Sequence, residues 1–79
     1  MKGKDKERLQ KVGDQIKKVR KAKKLSQRKV AARCDVDYSK IGKIERNEEN
    51  LLVTTLIELA EGLGVPPKEL LDVDFSSAD

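Results

Sequence analysis

Apolar residues recur every three or four positions along most of this chain, and this spacing limits the fold more than any other feature. The first third shows it clearly, with mostly charged residues between Leu9, Val12, Ile16, Val19 and Ala22. A stripe of this period lies along one face of an α-helix and is buried against other elements. Sustained alternation of apolar and polar residues, which indicates a half-buried strand, does not occur. The chain is therefore predicted to be all-α.

Capping residues and prolines divide this pattern into five short helices. Ser26 and Asp37 are suited to the N-caps of the second and third helices, and Gly64 to the C-cap of the fourth. Pro66-Pro67 opens the last helix, because proline is tolerated in a first turn. The predicted helices run from about Asp14, or from Glu7, to Lys23, then over 27–34, 38–46 and 53–63, with a last one in which Leu70, Leu71 and Val73 close the core.

The length of 79 residues allows one domain at most, with a thin core. Residues 1–11 are expected to form a basic N-terminal extension that is either partly disordered, fraying over 1–6, or a continuation of the first helix. Residues 12–72 are predicted to form the globular domain, and residues 73–79 a C-terminal tail.

Charge is distributed unevenly along the chain. Residues 1–46 contain 17 Lys and Arg against 6 Asp and Glu, whereas residues 47–79 contain 1 against 8. The basic part is dense enough to attract a polyanion, and the acidic part is expected to face away from one. The alternative is that a chain with 41% charged residues simply has a solvated surface.

Several classes of function lack the residues they need. With no histidine, one cysteine, no glycine-rich phosphate loop and no convincing pair of carboxylates, the sequence indicates no metal, cofactor, small-molecule ligand or enzymatic activity. No apolar run approaches the roughly 20 residues that cross a bilayer, and the charged start is not a secretory signal. Cys34 is expected to fill the core rather than to sense redox state, and an unpaired cysteine fits the cytoplasm.

The most informative segment is residues 27–46, where two short helices are separated by three residues. Ala31 is small at the point where two steeply crossing helices approach each other, and Val36 can plug the turn. Inward-facing apolar residues are expected at Val30, Cys34, Ile41 and Ile44. This arrangement predicts a helix-turn-helix whose third helix enters the major groove of DNA.

Three stretches carry a likeness to a known family. They are Gly13-Asp14-Gln15-Ile16 to Arg20, the segment with Leu25-Ser26-Gln27, Val30-Ala31, Val36-Asp37, Ser39, Ile41 and Ile44-Glu45-Arg46, and the run from Leu56 to Val65 that continues to Leu71. Over about residues 12–72 the chain resembles the Cro/cI (XRE) family of repressors. The resemblance implies a five-helix, lambda-repressor-like domain that binds double-stranded DNA sequence-specifically, usually as a homodimer on a palindromic operator. Restriction-modification controller proteins, antitoxins and phage regulators are branches of this family.

The chain departs from the family pattern at three places. Asp35 stands where a glycine usually takes a left-handed conformation in the turn, which costs other residues some strain. Gly42 lies in the middle of the third helix, where it either lets that helix lie close to DNA or is merely tolerated. Leu51-Leu52 replaces the usual polar cap before the fourth helix, so an apolar pair is expected to be exposed.

By this resemblance, Tyr38, Ser39 and Lys43 occupy the positions that read bases. Lys43 can donate to guanine, Ser39 to several base edges, and Tyr38 can contact a thymine methyl or a phosphate. The alternative is that Lys43 contacts phosphate alone and Tyr38 only packs. The predicted phosphate contacts are Gln27 at the start of the second helix and the cations Arg28, Lys40, Arg46, Lys23 and Lys24, which could also be plain solvated charges.

One further role follows from the same resemblance, and a second from the apolar residues that are expected to be exposed. Arg20 and Glu45 are expected to form a structural ion pair between the first helix and the end of the third. Leu51 and Leu52, together with the C-terminal helix, are expected to form the dimer interface. A competing interpretation is a helix-turn-helix-fold interaction module, such as an antitoxin or adaptor, with weak or no DNA binding. Acidic or bulky residues on the third helix would favour it, but that helix carries Lys40 and Lys43.

Overall fold

The regular structure of the chain is helical throughout the part that the computed structural model describes, residues 3–76. Four α-helices are followed by one 3₁₀ helix, and these residues contain no strand. The elements are α1 (Gly3–Ala22), α2 (Gln27–Ala32), α3 (Tyr38–Glu45), α4 (Val53–Leu63) and the 3₁₀ helix (Pro67–Leu71). The all-α prediction and the order of elements are confirmed, but the last element is a 3₁₀ helix rather than a fifth α-helix.

The first helix is much longer than its apolar stripe indicated. It begins at Gly3, not near Glu7 or Asp14, so the described residues 3–6 are helical rather than frayed. Their side chains are exposed, and Leu9 and Lys11 are the first that are half-buried. Met1 and Lys2 of the predicted extension, and Ser77 to Asp79 of the predicted tail, lie outside the described residues.

One apolar core joins all five elements. Leu59, Leu70 and Ile41 are among its fully enclosed side chains, contributed by α4, the 3₁₀ helix and α3. Leu71, predicted to close the core beside Leu70, is instead 46% exposed, because a 3₁₀ turn places neighbouring residues on different sides. The buried apolar residues are Val12, Ile16, Val30, Val36, Ile41, Ile44, Leu56, Leu59, Ala60, Leu63 and Leu70.

The helix ends follow the predicted capping pattern only in part. The Ser26 hydroxyl accepts the Lys29 N–H at 3.0 Å, and Gly64 closes α4 in the left-handed conformation with φ of 72°. Asp37 stands at the N-cap of α3, but its side chain makes no capping hydrogen bond. The cap prediction at Asp37 is therefore right in position and wrong in mechanism.

The turn between α2 and α3 needs no left-handed residue. Lys24 and Asn47 are the non-glycine residues with positive φ in the described chain, so the expectation of a strained Asp35 is wrong. Instead, Arg33 ends α2 with a φ of −104°, and the Asp35 N–H donates to Glu58 Oε1 of α4 at 2.8 Å. That hydrogen bond fixes the turn against α4 without a glycine.

The residues after the 3₁₀ helix lie along α1. Lys11 Nζ donates to the carbonyl oxygens of Asp74 at 2.8 Å and Ser76 at 3.1 Å, and Gln15 Nε2 donates to the Glu69 carbonyl at 2.8 Å. The Ser76 hydroxyl and backbone N–H both donate to the Asp74 carboxylate and lower its pKa. Residues 69–76 are therefore held against the first helix.

None of the described helices has the length and apolar character needed to span a membrane.

Gly13 lies where α1 crosses the end of α3. An ideal Cβ at this position would lie 2.5 Å from Asn47 Oδ1 and 2.6 Å from the Ile44 carbonyl oxygen. Distances below 3 Å cannot be sustained, and the carbonyl belongs to the backbone, which cannot move aside as a flexible side chain would. The glycine thus sets the spacing of the two helices.

We expect Gly13→Ala to lower the free energy of unfolding by about 1–3 kcal/mol, because overpacking outweighs the better helix propensity of alanine. Gly42→Ala is the matched control. Its Cβ would meet chiefly the mobile end of Arg46, at 2.9 Å, so it should gain up to about 1 kcal/mol. Urea unfolding of the two variants measures both changes. A Gly13→Ala variant as stable as Gly42→Ala would show that α1 and α3 do not approach this closely.

Candidate nucleic-acid interface

The third helix has one buried side and one exposed side. Ile41, Ile44 and Glu45 face the interior, where α3 packs against α1 and α2. Ser39 is exposed on the opposite side, whereas Tyr38, which is in phase with Gly42 and Glu45, is 43% exposed at the start of the helix. Lys43, one turn after Ser39, is exposed on the same side, so two of the three predicted base-reading residues share one face of α3, and the third, Tyr38, is exposed at its first turn.

A buried ion pair holds α3 in this orientation. Arg20 Nε donates to Glu45 Oε2 at 2.8 Å, and Arg20 Nη2 donates to Glu45 Oε1 at 2.9 Å. The guanidinium therefore binds the carboxylate through two parallel hydrogen bonds. Arg20 Nη1 also donates to the Leu25 carbonyl at 2.8 Å, just before α2. Only 9% of Arg20 and 6% of Glu45 are exposed. The hydrogen bond to Glu45 raises the pKa of Arg20 above its usual range, against the opposing effect of burial.

Gln27 belongs to the same network. Its Nε2 donates to Glu45 Oε1 at 3.1 Å, and the residue is half-buried. The side chain predicted to hold a phosphate is therefore already engaged inside the protein. One of its two amide protons is left for a phosphate contact.

Two of the predicted phosphate ligands are paired with carboxylates of the loop between α3 and α4. Lys40 Nζ lies 3.9 Å from Glu49 Oε1, and Arg46 Nε donates to Glu48 Oε2. All four side chains are substantially exposed, so each pair is weak and a phosphate can compete for the cation. The sequence showed the acidic loop but could not show that it folds back onto α3.

The remaining predicted phosphate ligands are exposed and lie in the helix ends that flank α3. Lys23 and Lys24 follow α1, and Lys24 adopts a left-handed conformation with φ of 58°. Arg28, on the first turn of α2, lies over the ring of Tyr38, with 4.4 Å between the guanidinium carbon and the ring centroid. No carboxylate of residues 3–76 pairs with any of these three cations within 4.0 Å.

Gly42 is buried and faces the protein rather than the outward surface. The nearest atoms to an ideal Cβ there belong to Arg46 and Gln27. A close approach of α3 to DNA therefore does not explain this glycine, and the flexible end of Arg46 leaves room for an alanine.

The predicted dimer residues differ in exposure. Leu51 is half-buried and packs against the core, whereas Leu52 is 61% exposed at the uncapped start of α4. Val53 and Ile57 are exposed beside it and were not predicted as surface residues. We call Leu52, Val53 and Ile57 the α4 patch. The signal for it was present, because α4 carries more apolar residues than one buried stripe requires.

Cys34 sits half-buried between α2 and α4. An ideal Cβ on Gly62 of α4 would lie 3.1 Å from its sulfur, so the two helices approach closely here. Burial raises the pKa of the Cys34 thiol above its usual value, which opposes thiolate reactivity. In the described chain, no group of side chains has the ligands for a metal ion.

We expect Glu45→Gln to lower the free energy of unfolding by about 3–5 kcal/mol, because the buried Arg20 charge would lose its counter-ion. Glu48→Gln makes the same change in the exposed pair with Arg46 and should cost less than about 1 kcal/mol. Urea unfolding compares the two. Equal costs for the two substitutions would show that the Arg20–Glu45 pair does not hold the helices together.

Comparison with known proteins identifies the family. The HTH_3 family model, described as helix-turn-helix, matches residues 16–70. The control protein C.BamHI of Bacillus amyloliquefaciens is 36% identical over 61 residues, which are 76% of this chain and 75% of that protein. The crystal structure of the restriction-modification controller protein C.AhdI from Aeromonas hydrophila has a TM-score of 0.75 at 35% identity, covering 78% of this chain and 94% of that one.

A second solved relative agrees with these two. The crystal structure of the wild-type restriction-modification controller protein C.Esp1396I has a TM-score of 0.77 at 34% identity, covering 82% of this chain and 84% of that one. The resemblance read from residues 12–72 is thereby confirmed. The chain belongs to the HTH_3 family of XRE-type helix-turn-helix regulators.

Proposed function

We propose that this protein is a transcriptional regulator of the controller type that binds double-stranded DNA and reads its sequence with α3. One observation carries the proposal: α3 is locked by its inner side, through the Arg20–Glu45 pair, while Ser39 and Lys43 project from its outer side and Tyr38 is exposed at its first turn. A rigid helix with polar side chains on its free face is what the major groove admits. Bacterial DNA lies in the cytoplasm, so the protein acts there.

Base recognition and phosphate contact divide between different residues. Lys43 donates to the O6 and N7 acceptors of guanine, Ser39 to a neighbouring base edge, and Tyr38 contacts a thymine methyl. Lys23, Lys24 and Arg28 contact the phosphates on either side of the groove, which fixes the register of α3 without reading sequence. Lys40 and Arg46 join them when phosphates displace Glu49 and Glu48.

Selection of bound DNA from a random pool tests the proposal. We expect a palindromic consensus and an affinity that falls steeply with salt, because several phosphate contacts release counterions. Lys43→Ala should weaken binding to the consensus by roughly tenfold or more and relax the preference for one base pair, since a good base contact contributes about 1–3 kcal/mol of discrimination. Lys23→Ala should weaken binding to all sequences about equally.

The control is Lys68→Ala, which removes one exposed positive charge from the acidic half of the chain. It should leave the preference unchanged. A pool that yields no consensus from a folded protein, with a flat salt response, would contradict DNA reading and favour an interaction module instead.

We further propose that the protein acts as a homodimer through the α4 patch. A single module of this kind buries only about 600–1,000 Å² on DNA, which is little for a specific regulator. Two copies related by a two-fold axis would place half-sites about one helical turn apart. The three exposed apolar residues of the α4 patch are a surface that gains from being covered.

Leu52→Lys is expected to convert the dimer to a monomer without loss of helicity, because it places a charge in the patch but removes nothing from the core. Sedimentation equilibrium over a micromolar concentration range measures the change. Tyr38→Ala, which removes an exposed ring from the DNA-facing side, is the control and should leave the dimer intact. A wild-type protein that sediments as a monomer at high micromolar concentration would contradict this interface.

A further inference from the structure

Arg28 and Tyr38 form a contact between the exposed sides of α2 and α3. The guanidinium carbon of Arg28 lies 4.4 Å from the centroid of the Tyr38 ring. Arg28 is the second residue of α2 and Tyr38 the first residue of α3. Both are exposed, so the contact sits on the proposed DNA-facing surface rather than in the core.

The contact is a cation–π interaction, and within the described chain neither partner is engaged in an ion pair or a side-chain hydrogen bond. Within residues 3–76, Arg20, Lys40 and Arg46 each have a carboxylate partner, whereas no carboxylate lies within 4.0 Å of Arg28. In the same residues the Tyr38 hydroxyl makes no hydrogen bond, and Asp37 before it makes no side-chain cap. The face of the ring therefore has a defined partner in Arg28, while its hydroxyl has none among these residues.

A guanidinium can make two kinds of contact at once. Its flat face stacks on an aromatic ring, while its N–H groups point outward in the plane and donate to oxygen atoms. Arg28 can thus hold a phosphate and the Tyr38 ring together. In contrast, an ammonium or a neutral side chain could not connect the two in the same way.

We propose that Arg28 is a positioning residue for base recognition: it covers one face of the Tyr38 ring and so presents the ring to a thymine methyl group. This rests on the proposed function, because it assumes that α3 lies in the major groove. It differs from a plain phosphate contact, since it makes recognition of one base depend on a residue of α2. A phosphate contact alone would change binding to all sequences equally.

Thymine-to-uracil substitution tests this directly, because uracil lacks the C5 methyl group and keeps the base pair. Each thymine of the selected consensus is replaced in turn, and binding is measured for the wild-type protein and the variants. The wild type should prefer thymine to uracil at one position of each half-site. Tyr38→Ala should abolish that preference, and Tyr38→Phe should retain it because the ring remains.

Arg28→Ala should have two effects: weaker binding to every site, and a loss of roughly two- to fivefold in the thymine preference at that position, the range of an exposed cation–π contact. Lys29→Ala is the matched control. It removes the same charge from the next residue of α2, which is exposed and has no ring contact, so the thymine preference should be unchanged.

The double variant Arg28→Ala/Tyr38→Ala completes the test. If Arg28 acts through the ring, its removal has no further effect on thymine preference once Tyr38 is gone. Thermal melts followed by circular dichroism show that the exposed substitutions leave the fold intact. Equal weakening of thymine and uracil sites by Arg28→Ala, or an unchanged preference in Tyr38→Ala, overturns the proposal while leaving α3 as the reading helix.

Failure of the proposed function gives a different result. In that case the selection yields no consensus, and Lys43→Ala changes no preference either. A consensus that depends on Lys43 but not on the Arg28–Tyr38 contact would overturn the positioning role alone.

Discussion

The buried ion pair between Arg20 and Glu45 is the interaction on which the rest of the structure depends. Removing two charges from water is costly, and the cost is offset only when their hydrogen-bonding groups are satisfied. Here the carboxylate accepts two hydrogen bonds from Arg20 and a third from Gln27, while Arg20 also donates to the Leu25 carbonyl. The end of α1, the start of α2 and the end of α3 are thereby fixed together. The outward direction of α3 follows from that fixed junction.

Close packing between helices adds stability to a small apolar core. Gly13 lets α1 lie against the last turn of α3, and Gly62 lets α4 lie against α2 beside Cys34. At both places a methyl group would meet atoms at 3.2 Å or less, backbone carbonyls included. Short helices have little stability on their own, so they must pack closely against one another. The same contacts keep the helix-turn-helix rigid enough to present side chains in a defined register.

Periodicity and caps could predict the fold well, and the bounds of α4, Val53–Leu63, match the expected 53–63. The start of α1 could not be predicted, since residues 3–8 carry charged residues and no apolar stripe. The outward placement of Ser39 and Lys43 was predictable from helical phase, whereas Tyr38 is in phase with the buried Gly42 and Glu45 and is exposed at the start of the helix. The partners of other side chains were not predictable, because that of Gln27 depends on the packing of α2 against α3, and those of Lys40 and Arg46 depend on the conformation of the loop after α3. Leu70 and Leu71 look alike in sequence, and only the way the last helix lies on the core separates them.

The acidic loop after α3 bears on the balance between affinity and specificity. Glu48 and Glu49 offset the charge of Arg46 and Lys40, two cations that face phosphates in the proposed complex. Phosphate attraction is independent of sequence, so partial neutralisation weakens binding to all DNA alike. Lys43 has no carboxylate partner among residues 3–76, so the acidic loop does not compete with the base contact proposed for it. A regulator built in this way has a weaker general attraction to the duplex but keeps the contacts that distinguish one site from another.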